Sequence, residues 1–270
     1  MKLIYLGSDV YLDTFKYLVE NHEVLALYTY HNDEDYFMDF NIVSIAHKYN
    51  IPIYYEPLSK DEIYHYFNDL DCELIFSAEY AHIIDLPDDI NNLRAINIHG
   101  SYLPKGRSYY PIECGFDLNE EEIGVTIHKM VNRLDAGDII YQEKFSTKNI
   151  DSIDAYILMS KLIYEFTIKL MNNFNYYYEH SIKQESKLPY WKKPTNLIIT
   201  CDDTINSSLD KFRKYNKLLT VNINDKTYYV ISLNASKVLI DHNILLDKEY
   251  CLFKVKDGHL RLALKEKKDV

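Results

Sequence analysis

Two hydrophobic periods alternate through the first 180 residues. Lys2–Leu6 is a short apolar run that stops at Gly7-Ser8, and Val10–Asn21 follows with helical spacing at Leu12, Phe15, Leu18 and Val19. The alternation then repeats. Strands are predicted over Val24–Tyr28, Pro52–Tyr55, Leu74–Ser77 and Ala95–His99, with helices near 40–49 and 59–68. Short apolar runs separated by helices of about ten residues predict an α/β fold with a parallel-type sheet. In such sheets ligands gather beyond the carboxyl ends of the strands. Ser77–Tyr80 and Asn97–Ser101 occupy two of those ends. Gly124–Met130 and Ile139–Phe145 predict two more strands, joined through a loop at Arg133–Gly137. Asp151-Ser152 is suited to cap a long helix reaching to about Tyr178, with Ile153, Tyr156, Ile157, Ser160 and Tyr164 along one face.

Beyond residue 180 the pattern changes to short β-branched runs with turn signals at Asn224-Asp225 and Asp257-Gly258. Five strands are predicted, over Leu219–Asn222, Thr227–Ser232, Lys237–Ile240, Tyr250–Lys254 and Leu260–Leu264. The expected organisation is therefore an α/β unit over 1–180 and a small β-rich unit over 181–270. The second unit would be an oligomer-binding-type barrel or an open array of hairpins, and its strands could form a homodimer interface.

Composition narrows the class. The chain has 270 residues, 47% hydrophobic and 26% charged, which reads as globular. No apolar run approaches the roughly 18 residues needed to cross a bilayer, and the first apolar run stops too early for a signal peptide. The expected location is cytoplasmic, without a membrane partner. Cys72, Cys114, Cys201 and Cys251 are far apart and lack local histidine partners, and the ten histidines show no metal-ligand spacing, so no metal site is predicted. Charge is uneven: residues 1–180 carry net −17 and residues 181–270 net +6. An acidic first half repels a phosphate backbone, which argues against a nucleic-acid partner, although the basic tail points the other way.

The glycines point to where the chemistry sits. There are only seven, against about 19 at average usage, and five of them (Gly100, Gly106, Gly115, Gly124 and Gly137) fall between positions 100 and 137. Within that window Asn97 and His99 lie two apart on one strand face, which is costly in a buried strand unless the groups are paired or used. Gly100 and Gly106 follow around Pro104, with cations at Lys105 and Arg107, as in a loop built to approach an anion. Asp135 comes 36 positions after His99 in Leu-Asp-Ala-Gly-Asp. Taken singly, each group has a plain structural reading: a solvated strand end for Asn97 and His99, a turn residue for Asp135, a loop charge for Asp138. His128, inside Val-Thr-Ile-His-Lys, reads as a packed or edge-exposed strand histidine.

The combination is more specific than its parts. Ile96–Ser108, followed by Gly124-Val-Thr-Ile-His128 and Leu134-Asp-Ala-Gly-Asp-Ile-Ile140, resembles the formyltransferases that use N10-formyltetrahydrofolate, over roughly residues 1–180. The resemblance implies a Rossmann-like catalytic fold and a catalytic trio of Asn97, His99 and Asp135. It also implies folate-binding loops at Ser77–Ile84 and Asn132–Asp138, with Ser77, Glu79, Tyr80, Ile84 and Asp138 as cofactor-binding candidates. One departure is Ser108, where the family usually has glycine, followed by Tyr109-Tyr110-Pro111. In the implied reaction, Asn97 would donate to a developing oxyanion and Asp135 would orient His99. The imidazole would act either as proton acceptor or as a second oxyanion donor.

The acceptor amine distinguishes branches of this family. Gly-Ser-Asp-Val-Tyr-Leu after the first strand lacks the second glycine of a phosphate cradle, unlike the purine-pathway branch. Tyr-His-Asn-Asp-Glu-Asp-Tyr after the second strand puts three acids at 33–35, where the methionyl-tRNA branch has a basic loop. The expected acceptor is a nucleotide-linked amino sugar such as a dTDP-4-amino-4,6-dideoxyhexose, serving surface polysaccharide (O-antigen) synthesis. Lys105, Arg107, Tyr190 and Trp191 are its binding candidates, and Trp191 has an equal claim to be a hydrophobic plug between domains. The alternatives are methionyl-tRNA formylation and, from another class, folate binding or 10-formyltetrahydrofolate hydrolysis.

Overall fold

The computed structural model describes residues 1–30, 41–80, 82–184, 188–241, 243–246 and 250–267. Its first part alternates as the hydrophobic pattern predicts. In chain order the elements are β1 (Lys2–Gly7), α1 (Leu12–Asn21), β2 (Glu23–Tyr28), α2 (Asn41–Lys48), β3 (Ile53–Tyr54), α3 (Lys60–Asp69), β4 (Leu74–Ala78) and β5 (Ala95–His99). They continue with α4 (Pro111–Asp117), β6 (Glu122–Lys129), β7 (Ile139–Ser146), α5 (Ser152–Asn172) and α6 (Phe174–Glu179). Seven strands form one sheet in the order β3-β2-β1-β4-β5-β6-β7. Strands β1 to β5 pair in parallel, whereas β5–β6 and β6–β7 are antiparallel. The sheet is therefore mixed, and its antiparallel edge is the part that the strand-helix alternation did not predict.

The sheet buries both faces. Leu3, Tyr5, Leu27, Phe76, Ile96 and Ile98 face one layer with α1 and α5, while Ile4, Leu6, Ala26, Ile75 and Ala95 face the other. The alternation of Ala95, Ile96 and Ile98 between these layers sends Asn97 and His99 toward the same side as Ala95.

Helix α5 begins at the predicted cap: Asp151 accepts from the backbone of Asp154, and Asp154 reciprocates. It ends earlier than predicted. Asn173, at φ −145 and ψ 48, breaks the run, and α6 takes up the remainder. The buried face also differs. Ala155, Met159, Ile163, Phe166 and Leu170 pack inward, whereas Ile157 is 62% exposed. The helix carries two apolar stripes, and the sheet and α1 select the one led by the smaller Ala155 and the flexible Met159.

The second part comprises β8 (Ile198–Ile199), α7 (Ile205–Tyr215), β9 (Thr220–Ile223), β10 (Lys226–Ser236), β11 (Ile244–Leu246), β12 (Cys251–Val255) and β13 (Gly258–Glu266). Its six strands run β11-β12-β13-β10-β9-β8, an open sheet among the described residues, not a closed barrel. Asn224 and Asp225 both take positive φ and form the two-residue hairpin between β9 and β10. The strand predicted over Lys237–Ile240 is absent. β10 ends at Ser236, whose hydroxyl bonds the Val238 backbone in both directions and turns the chain away. Between the two sheets, residues 182–184 run along the first: Ile182 exchanges backbone bonds with Ile139. No helix among the described residues is long and apolar enough to cross a membrane.

Candidate active site

β5 and β6 bring the polar groups together. The antiparallel register sets Asn97 opposite His128 and His99 opposite Thr126. Thr126 donates from its hydroxyl to Ser101 O at 2.7 Å and accepts from Leu103 N at 3.1 Å, while Gln142 donates to Leu103 O at 2.8 Å. These bonds hold the 100–107 loop over the end of β5. Gly106 sits at φ +83, and a Cβ there would meet Ser101 at 2.7 Å and the Trp191 ring at 2.9 Å, so the turn requires glycine.

His99 is buried, and its Nε2 lies 3.0 Å from Gly106 O. A carbonyl only accepts, so Nε2 carries a hydrogen. The same nitrogen is 3.6 Å from Asp135 Oδ2. Asp135 is a non-glycine residue at φ +49 with its side chain 6% exposed. Gln184 Nε2 donates to Asp135 O at 3.1 Å and to Gly137 O at 2.9 Å, and Tyr190 donates its hydroxyl to Leu134 O at 3.2 Å.

His128, passed over as a strand histidine, completes the cluster. It is packed, and its Nε2 lies 3.3 Å from Asn97 Nδ2 and 3.8 Å from Asp135 Oδ1. Its Nδ1 is 2.7 Å from Lys129 O. Burial, reinforced by nearby His99 and Arg107, holds the His128 imidazole down at about 4 against the opposing pull of Asp135, so the ring is neutral near pH 7. No periodicity could have found this pairing, which exists only through the antiparallel register.

The cluster opens onto a cavity of about 570 Å³ at the strand ends, within the usual range for small-molecule sites. Asn97, His99, Asp135 and His128 all line it, as do four predicted cofactor contacts, Ser77, Glu79, Tyr80 and Ile84. Tyr30, Tyr80 and His82 form an aromatic corner, with Tyr30 and Tyr80 stacked at 5.9 Å. Asn132 bonds both backbone groups of Leu86, so the second predicted folate loop is tied to the chain two residues beyond the first. Asp138 is the exception: it does not line the cavity, and its carbonyl accepts from Lys129 N.

The predicted substrate contacts sit elsewhere. Lys105 is exposed and ion-paired to Glu120. Arg107 is 3% exposed, 5.7 Å over the Tyr190 ring. Trp191 packs on Gly106 and Gly115, and its backbone N donates to Arg107 O, so these contacts are with the first unit. None of these four lines the cavity, whereas Ser108, Tyr109, Tyr110 and Arg133 do. Ser108 takes no positive φ, and its hydroxyl accepts from Tyr110 N, so this loop accommodates a side chain where the family usually has glycine. The acid run at 33–35 lies outside the described residues. Among the described residues no group of three or more His, Cys, Asp or Glu could hold a metal ion.

Residues 28–160 match the formyl transferase family. Methionyl-tRNA formyltransferase of Staphylococcus aureus (strain Newman) is 33% identical over 161 residues, covering 56% of this chain and 51% of that protein. The chain thus spans about half the length of the curated relative it matches. Two solved structures share the fold along nearly the whole chain. WlaRD, a sugar 3N-formyl transferase with dTDP and 5-N-formyl-THF, has a TM-score of 0.62 at 22% identity, covering 100% of this chain and 99% of its own. The N-formyltransferase from Helicobacter canadensis, in complex with folinic acid and dTDP-3-aminofucose, has a TM-score of 0.64 at 21% identity, covering 98% and 99%. The segment 28–160, just under half of the chain, is thus similar to the formyl transferase family.

Proposed function

We propose that this protein transfers a formyl group from N10-formyltetrahydrofolate to the amine of a nucleotide-linked amino sugar. The observation that carries the reading is the convergence of Asn97, His99 and Asp135 in one cavity. The cavity fits the donor. Ile84, Met130 and Leu134 offer apolar walls, Ser77 offers a polar group, and Asn132 ties the second loop to Leu86, just past the first. The bound folate would supply the activated one-carbon unit.

The residues supply positioning, charge stabilisation and proton transfer. Asn97 presents an amide hydrogen toward the oxygen that gains negative charge. The His99 Nε2 lies 3.0 Å from Gly106 O and 3.6 Å from Asp135 Oδ2, which favours a role as hydrogen donor. Asp135 orients that imidazole and would take the proton shed by the attacking amine and deliver it, directly or through a water, to the folate nitrogen as its bond to the formyl carbon breaks.

The sugar-nucleotide acceptor is supported by the two sugar formyltransferases that share this fold end to end. Production of surface polysaccharide remains the cellular role this reading proposes. Tyr109, Tyr110 and Arg133 replace Lys105 and Arg107 as the contacts for base and pyrophosphate, because they line the cavity. The second reading, methionyl-tRNA formylation, is favoured by the 33% identical relative.

The deciding experiment supplies formyl donor with dTDP- and UDP-linked amino sugars or with methionyl-tRNA, and reads formylated product by mass. Product from a sugar nucleotide is expected, and formylation of tRNA alone would reverse the acceptor assignment. In the productive assay Asn97→Ala is expected to lower kcat about 10²–10³-fold, with KM changed much less. His99→Asn and Asp135→Asn should act in the same direction, and a near-native rate for His99→Asn would remove the trio from the mechanism.

A further inference from the structure

We infer that His128 is a positioning residue that fixes the carboxamide of Asn97, so that the site works as a quartet and not a trio. The inference rests on the formyl-transfer reading for its kinetic consequence, and on geometry alone for the arrangement itself.

The argument begins at the carbonyl of Lys129. It lies 2.7 Å from His128 Nδ1, and a carbonyl cannot donate, so Nδ1 carries the ring hydrogen. The ring is buried and neutral near pH 7, so Nε2 holds a lone pair. The group facing that lone pair at 3.3 Å is Asn97 Nδ2. Of the two ways an amide can be turned, only the one with its nitrogen toward His128 makes a bond; the reverse sets oxygen against lone pair. One hydrogen of Nδ2 is spent on His128, and the second remains for the cavity that Asn97 lines.

Asp135 makes the tautomer matter. Its Oδ1 is 3.8 Å from the same Nε2. Were the hydrogen on Nε2, it would turn to that carboxylate, and Asn97 would lose its acceptor. The Lys129 carbonyl forbids this by holding the hydrogen on Nδ1. His128 therefore separates the two groups, giving Asn97 a fixed partner and leaving Asp135 to His99. It acts through Asn97.

A double-mutant cycle tests this on the intact chain. His128→Phe keeps the ring shape without an acceptor, and is expected to lower kcat about 10–100-fold with KM for both substrates within about twofold, since a misoriented oxyanion donor loses most of its worth. His128→Gln, which returns an oxygen acceptor, should recover at least tenfold of that loss. In an Asn97→Ala background, His128→Phe should cost less than about twofold, because the residue it positions is gone. Additive losses would overturn the inference in favour of a packing role, as would an unchanged kcat for His128→Phe. Imidazole ¹⁵N spectra give a readout independent of turnover: Nδ1 protonated and Nε2 bare at pH 7, with the Nε2 resonance moved by Asn97→Ala. A hydrogen on Nε2 would overturn the arrangement even if the enzyme were active. Correct spectra from a protein that formylates no amine would reject the functional reading and leave the arrangement standing.

Discussion

His128 ties the stability of the fold to pH. Its folded-state value of about 4 lies below the ordinary 6.5, so the unfolded chain binds this proton more readily. Its contribution is intact above about pH 6.5 and is lost progressively as pH falls toward 4, by about 3 kcal/mol in all. Urea midpoints measured from pH 7 to 4 should fall more steeply in the native chain than in His128→Phe. Gly137 is a second point where one residue decides. A Cβ there would stand 1.9 Å from Lys129 O, so Gly137→Ala must push the Asp135 loop off β6. A loss of about 3 kcal/mol is expected by thermal or urea unfolding. At this scale the sequence told its story unevenly. Asn97, His99 and Asp135 were legible because order and spacing along the chain carry their resemblance. His128 was not, because its meaning depends on facing Asn97 across an antiparallel pair, and an alternation of strands and helices gives no hint that β6 reverses direction. Lys105 and Arg107 misled for a related reason: a cation beside a glycine suggests an anion site, but Glu120 and the Tyr190 ring had already engaged them.

Among the elements, α5 shows where periodicity stops being sufficient. Ile153, Tyr156, Ile157, Ser160 and Tyr164 make a coherent stripe, yet the chain buries the neighbouring one. Substitution can tell the stripes apart. Ile163→Ala should cost about 2–5 kcal/mol as a core truncation, while Ile157→Ala should stay within about 0.5 kcal/mol. Equal costs would mean that both stripes are covered, one of them by a surface outside this chain. Strands β1, β2, β4 and β5 fell within a residue or so of their predicted limits because each is an apolar run bounded by turn residues. The open second sheet was harder to foresee. Its strand β8 is two residues long and α7 has a mostly polar surface, so neither leaves much hydrophobic pattern.

For the molecule as a whole, the two sheets meet through side chains on α4, α5 and α7. Tyr215 donates its hydroxyl to Asp117, and the Arg213 guanidinium lies 5.3 Å over the Phe116 ring. The stretch between the sheets has another effect. Gln184 and Tyr190 reach back from it to the carbonyls of Leu134, Asp135 and Gly137, in the loop where Asp135 holds its left-handed backbone. A boundary drawn at residue 180 therefore keeps every strand of the first sheet and cuts away what steadies its aspartate. A chain ending there should unfold cooperatively and bind folate weakly, yet turn over at least tenfold more slowly than one ending at residue 196. The connector is in this sense a tether. Any movement of the second sheet that pulls on it should be felt first at Asp135, so the part of the protein that holds none of the proposed trio would still set how fast that trio works.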